Sequence, residues 1–241
     1  ALFARRSLLG EGQVAVIDSG GGTTDCAALR MSLEEDPQRR VWRATYDPIG
    51  QPLGVEVGGK HFDQAVFSLV EEQFRAQFPR MLATAHRWLG EGNDALAPRV
   101  IRAGVMNECQ RIKEAMASER DDGGSVRVDY RFQIDEDSSL EFRSSEIDWA
   151  DIQTAVQEEL RRLSELWGQL QNTLRSGEGF GKSFDEVYVV GGSSLFPPLM
   201  SSVQQRFGDR AAREDVSGQD RLAAVARGAV HAIYEAETDI S

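Results

Sequence analysis

The order of segments predicts an α/β fold interrupted by a smaller inserted subdomain. Strands come first, then two helices, two strands, a long helix, a further strand and two closing helices. Three observations carry this. Apolar, β-rich runs stand near the start (Val14 to Ile17, Cys26 to Met31, Val41 to Tyr46) and return at Val187 to Val190. The middle holds a strand of a different kind, alternating strictly between apolar and polar residues. Helical stripes separate the two. The core is therefore expected over 1–58 and 151–241, with an α+β insertion over 59–150.

The elements follow from periodicity. Phe62, Val66, Leu69, Val70 and Phe74 recur at helical spacing, as do Ile101, Val105, Cys109, Ile112 and Met116. Val126, Val128, Tyr130, Phe132 and Ile134 alternate with Arg127, Asp129, Arg131 and Gln133, the pattern of a strand with one wet face. Leu140 to Phe142 is expected to pair with it. Ile152, Val156, Leu160, Leu163, Trp167, Leu170 and Leu174 form one long stripe, and Leu199, Val203 and Phe207 a shorter one. Leu222, Val225, Ala226, Ala229 and Ile233 form the last. Each stripe reads as core-facing. Breaks fall at Gly58-Gly59, Gly90 to Pro98, Asp121 to Ser125 and Ser176 to Ser183.

Composition excludes several classes. Of 241 residues 41% are hydrophobic, too many for a disordered chain, and 27% are charged, too many for a membrane one. The net charge of −12 repels nucleic acid and anionic membranes, so neither is expected as a partner. Two cysteines, Cys26 and Cys109, suit a reducing, cytoplasmic setting. The first residue is Ala1 rather than Met, which suggests a piece of a longer protein.

Four glycine-rich stretches differ in meaning. Asp18-Ser19-Gly20-Gly21-Gly22-Thr23-Thr24-Asp25 lies between two strands, so it is a hairpin tip. That excludes the dinucleotide fingerprint, whose third glycine would fall on Asp25 and whose loop opens a helix. Three glycines let backbone N–H groups approach an anion together, and Thr23 and Thr24 add hydroxyl donors. The flanking Asp18 and Asp25 would repel a bare phosphate but can hold the waters around Mg²⁺, which points to a metal–nucleotide complex. Gly191-Gly192-Ser193-Ser194 follows a strand and precedes Pro197-Pro198, the signature of a helix N-terminus able to receive a phosphate or a planar ring. Gly58-Gly59 alone is a turn. Gly177 to Ser183 ends in the Gly-Lys-Ser of a P-loop. However, Ser176 stands where that motif begins with glycine, and the context is helix-then-strand rather than the reverse.

Other chemistries fail. His61, His86 and His231 lack metal-ligand spacing, and there is no nucleophile elbow or zinc-protease motif. Cys109 sits on an apolar helical face as a packed thiol.

Taken in order, these pieces resemble the actin/Hsp70/sugar-kinase ATPase superfamily, and within it the Hsp70 nucleotide-binding domain. Val16 to Asp25 resembles the second phosphate loop, and Val57 to Asp63 the segment that opens the inserted subdomain. Glu108 to Ser118 resembles the helix lining the adenosine pocket, Val187 to Pro197 the adenosine loop, and Ala223 to Ala229 the closing helix. Thr24-Asp25-Cys26 is closer to divergent bacterial Hsp70-like proteins. The resemblance implies a ribonuclease H-like, actin-fold second lobe: a subdomain IIA-like core with a IIB-like insertion, Ala1 to Leu9 being the tail of a helix leaving a first lobe.

It also implies roles. Asp18 would order Mg²⁺-bound water and position the attacking water, Thr23 would donate to the γ-phosphate, and Gly20, Gly21 and Gly22 would offer N–H groups. Asp25 would support the loop and the metal's water shell. Gly191, Gly192 and Ser193 would cradle adenosine and the α-phosphate, and Lys113 the ribose, with Gln110 where the family has Glu. The ligands implied are ATP or ADP with Mg²⁺. The partners implied are a first ATPase lobe, a substrate-binding domain, and an exchange factor at the insertion. Three positions depart from the pattern. Glu114 replaces the arginine that stacks on adenine, Ala117 a serine that bonds the base, and Leu195 a second arginine. Loss of a cation–π partner weakens base binding by about 0.5–2 kcal/mol.

The favoured reading is an Hsp70-like chaperone ATPase whose second lobe alone turns over little ATP. The alternatives are a non-enzymatic nucleotide-sensing or docking module, and an actin-like filament subunit or small-molecule kinase.

Overall fold

In a computed structural model of the chain, the described residues are 11–36, 41–89, 95–115, 124–176 and 183–211. The expected closing helix with Ala223 to Ala229, the segment Ala1 to Leu9, Ala117, and residues 177–182 of the Gly-Lys-Ser stretch lie outside them. The elements are β1 Glu11–Ser19, β2 Thr24–Asp36, β3 Val41–Val55, α1 Gly59–Ser68, α2 Glu71–Leu89 and α3 Leu96–Ala115. Then follow β4 Ser125–Val126, β5 Asp129–Gln133, β6 Ser139–Arg143, β7 Ile147–Asp148, α4 Trp149–Ala155, α5 Gln157–Ser176, β8 Glu186–Val190 and α6 Pro197–Phe207. Backbone packing divides the chain into Ala1–Gly59 with Leu160–Ser241, and Lys60–Glu159. Among the described residues no helix is long and apolar enough to cross a membrane.

The first unit is built on a mixed sheet in the order β3-β2-β1-β8, with β1 antiparallel to β2 and parallel to β8. Ala15, Ile17, Cys26, Ala28, Val187 and Val189 are buried in it. β3 runs to Val55, well past the Tyr46 expected from pattern. Pro48, Gly50, Pro52 and Gly54 disguise its second half, and a proline is tolerated because β3 is an outer strand of this sheet. Its pairing with β2 slips between Cys26 and Ala28, and Gly50 takes φ 71° in that irregular stretch. A Cβ on Gly50 would stand 2.7 Å from Thr173 Cγ2 of α5, so bend and close approach both select glycine. Helices α5 and α6 meet through Trp167 and Phe207, ring centroids 6.5 Å apart, and Trp167 Nε1 donates to Ser202 Oγ at 3.2 Å. Leu163, Leu170, Leu174, Leu199 and Val203 are fully buried, each stabilising by about 1.5–3 kcal/mol.

In the second unit the stripe expected as one helix over Phe62–Phe74 divides at Leu69–Val70. Ser68 Oγ donates to Ala65 O at 2.6 Å, and the N–H groups of Leu69 and Val70 bond three residues back. This tightening ends α1 and re-aims α2. The long stripe from Ile152 likewise divides at Val156, where Thr154 Oγ1 bonds back to Ala150 O at 2.8 Å. Helix α2 clasps β6 through two glutamines one turn apart. Gln77 exchanges hydrogen bonds with the Arg143 backbone and Gln73 with Ser145, while Phe74 packs edge-on to Phe142 at 5.8 Å. β5 and β6 pair as expected, but the strand expected to run unbroken from Val126 to Ile134 is interrupted at Arg127 and Val128, and β4 pairs with β7 instead. Phe132, expected on the buried face, is instead 39% exposed and packs against Trp88 at 5.3 Å.

Candidate functional site

The predicted hairpin tip is present, and its register decides what it can do. Asp18 stands directly opposite Asp25, and Ser19 opposite Thr24. Successive side chains in a strand point to opposite faces, so the two pairs face opposite ways. The hydroxyl pair is buried. Thr24 Oγ1 donates to Val57 O at 2.8 Å, which leaves Ser19 Oγ as the donor in the 2.9 Å Ser19–Thr24 bond.

On the other face Asp18 is half-buried and Asp25 exposed. Like charges directly opposite each other destabilise a sheet. Burial first, and then the Asp25 charge, hold the Asp18 carboxyl above the usual carboxylate range. A cation relieves both effects. Among the described residues no three His, Cys, Asp or Glu side chains gather to grip an ion directly. Two opposed carboxylates fit the water shell of a divalent ion. Asp25 also accepts from Thr23 Oγ1 at 3.0 Å and lies across Gly54, where a Cβ would stand 2.5 Å from its Oδ1.

The turn is closed by Gly20 N donating to Thr23 O at 2.9 Å. The Gly20 carbonyl is held from two sides, by Gly59 N at 3.0 Å and Ser193 Oγ at 2.8 Å. Among the described residues no protein acceptor meets the N–H of Gly21 or Gly22. Neither of these glycines, nor Gly20, has a positive φ. A Cβ on Gly21 would meet nothing within 4 Å, and one on Gly20 only Thr23 O at 3.6 Å. Neither backbone conformation nor internal packing requires glycine at Gly20 or Gly21. A bare turn with spare N–H donors fits an incoming anion such as a phosphate.

Gly191 ends β8 beside this turn, at φ 86°, with the position of a Cβ filled by Ser19 O and by Asp18 Oδ1 (2.6 Å). It thus sets the backbone against which Asp18 rests. Ser194 Oγ donates back to Gly191 O at 2.6 Å. The helix α6 starts at Pro197, as the proline pair predicts, since proline's fixed φ suits a first helical turn, and Gly192–Leu195 forms a 3₁₀ turn between it and the glycine pair. Ser193 is buried with its hydroxyl on Gly20 O, which makes it a brace of the hairpin tip.

Gln110 and Lys113 lie on α3 in the other unit. Gln110 Nε2 donates to Glu114 Oε1 at 2.8 Å along the exposed side of the helix. Lys113 Nζ pairs with Asp63 Oδ1 of α1 at 2.7 Å, with side chains only 11% and 14% exposed. Burial outweighs the Lys113 charge and leaves the Asp63 carboxyl raised. Cys26 and Cys109 are buried free thiols pushed up to about 12, largely by burial.

Several supporting residues escape sequence reasoning. A Cβ on Gly58 would stand 2.6 Å from Gly20 O and 2.8 Å from Gly22 N, so Val57-Gly58-Gly59 is the floor of the hairpin tip. The glycine pair was visible as a turn. Its contact with residues nearly forty positions earlier was not.

A hairpin tip that offers backbone amides beside opposed acids, braced by a second glycine turn, suits an anion accompanied by a hydrated cation. The model of the Hsp70 protein family matches residues 5–236, nearly the whole chain. The chain belongs to the Hsp70 family. It is a chaperone-type ATP-binding domain with the mixed α/β fold of the Hsp70 and actin-like ATPases.

Proposed function

We propose that this chain binds ATP and ADP with Mg²⁺ and contributes the second lobe of a chaperone ATPase. The observation that carries this is the Asp18–Asp25 pair beside the Gly20–Gly22 turn, whose Gly21 and Gly22 N–H groups meet no protein acceptor among the described residues. Asp18 and Asp25 hold the water shell of the ion, which supplies charge neutralisation for the phosphates. Asp18, its basicity raised by burial, orients the attacking water. Thr23 turns its hydroxyl from Asp25 to the γ-phosphate. Gly191, Gly192 and Ser193 back the adenosine and α-phosphate, and Gln110 and Lys113 carry the ribose role that the resemblance implies. Hydrolysis needs a first lobe to close over the phosphates, so the 241 residues alone turn over little ATP. Further partners are a substrate-binding domain and an exchange factor docking on the insertion, in a reducing cytoplasm.

The test is calorimetric titration of ADP with and without Mg²⁺ on the wild type and on Asp18→Asn. Tight binding that requires both Mg²⁺ and Asp18 supports the reading, and binding indifferent to both overturns it. A second reading, a nucleotide-sensing or docking module without hydrolysis, is favoured by Gln110 and Glu114 bonding to each other where the family places Glu and Arg. Single-turnover hydrolysis in a protein carrying both lobes separates the two.

A further inference from the structure

The second unit holds a cavity of about 350 Å³ between α1, α2 and α3, within the size range of small-molecule sites. Its walls are Phe67, Phe74, Phe78 and Pro98, and its charged lining is Glu71, Arg75 and Arg102. Phe67 and Phe74 are buried, with ring centroids 5.4 Å apart, and they back the half-buried Phe78, 5.3 Å from Phe74, which is the ring left open to an occupant. Arg75 and Glu71 neutralise each other at 2.9 Å. Arg102 holds its guanidinium 5.1 Å from the centroid of the Phe67 ring, and no carboxylate among the described residues pairs with it. The lining therefore carries one uncompensated positive charge, on a chain whose net charge is −12. A guanidinium parked on a ring face keeps its in-plane N–H donors available to an anion.

We propose that this cavity binds a small aromatic monocarboxylic acid, its ring system against Phe78 and Pro98 and its carboxylate on Arg102. Complementarity of charge selects the occupant. A neutral apolar molecule leaves Arg102 without an anion, and a dianion leaves a charge unmatched at the aromatic wall. The proposal is independent of nucleotide binding.

Biphenyl-4-carboxylate is the probe, with biphenyl-4-carboxamide as its neutral counterpart, titrated calorimetrically into the full chain, wild type and Arg102→Gln. Arg102 is exposed, so the variant folds. The acid is expected to bind the wild type at least about tenfold more tightly than the amide, and Arg102→Gln is expected to abolish that preference. Phe78→Ala is expected to weaken acid and amide equally, which separates the ring contact from the charge. Saturable binding with no acid preference, a preference that survives Arg102→Gln, or no binding at millimolar probe would each overturn the proposal.

Discussion

Asp18 stands directly opposite Asp25 across the β1–β2 pairing, at the last pair but one before the glycine turn. An acid whose pKa is raised on folding binds its proton more tightly in the native state. Its ionisation therefore removes stability as pH rises from the unfolded value, about 3.9, through the raised native one. At neutral pH the nucleotide-free protein carries this loss. Asp18→Asn is expected to raise its melting temperature at pH 7, and the gain should shrink as pH falls and vanish below the unfolded pKa. The same variant should bind Mg²⁺–ADP about 10–100-fold more weakly, having lost a charged contact. Melting curves from pH 3.5 to 8, with and without ligand, check both. A variant that is less stable at pH 7 contradicts the strain assigned to the pair.

Two glycines of the site answer to different demands, and alanine separates them. Gly21→Ala adds a Cβ into open space, so stability should change by no more than about 0.5–1 kcal/mol. Nucleotide affinity should nevertheless fall at least about tenfold, because the methyl stands where phosphate must approach. Gly191→Ala meets the Ser19 backbone and Asp18 at a positive φ. It is expected to destabilise by at least about 1–3 kcal/mol with or without ligand. Urea unfolding beside ADP titration distinguishes the two patterns.

Gly104 of α3 makes a comparable demand inside the second unit. A Cβ there would overlap the Tyr130 ring and stand 2.7 Å from its hydroxyl, and that ring is buried. Gly104→Ala gains helix propensity of about 1 kcal/mol yet displaces a packed aromatic, and overpacking of this kind removes about 1–3 kcal/mol. A net loss is expected in urea unfolding. Gly104→Ala combined with Tyr130→Leu should recover much of it.

Periodicity made the fold legible wherever one face of an element is dry: β1, β8, α3 and α6 lie where their stripes place them. It failed at β3, because prolines and glycines on an outer strand read as a loop, and at Ser68 and Thr154, whose side chains interrupt continuous stripes. The site divides in the same way. Asp18 to Asp25 was readable because a hairpin keeps sequence neighbours together in space. Gly58 as the floor and Ser193 as the brace depend on contacts across 38 and 173 positions, which no local pattern encodes.

The Lys113–Asp63 pair joins α3 to α1 with both charges largely removed from water. Truncating one partner of a buried pair leaves the other uncompensated. Lys113→Met is therefore expected to destabilise by about 2–4 kcal/mol at pH 7, since Asp63 would keep its burial and the repulsion from Glu114 while losing the cation that opposes them. The direction of the pH dependence follows. Without Lys113 the Asp63 carboxyl rises further, so the variant should recover stability as pH falls from 7 to 5, while the wild type changes less. Asp63→Asn keeps an oxygen for Lys113 and should destabilise less, without that recovery. Urea unfolding of the three proteins at both pH values decides the matter. An equal loss in Lys113→Met at pH 5 and 7 would show that the pair holds the helices by packing rather than by charge.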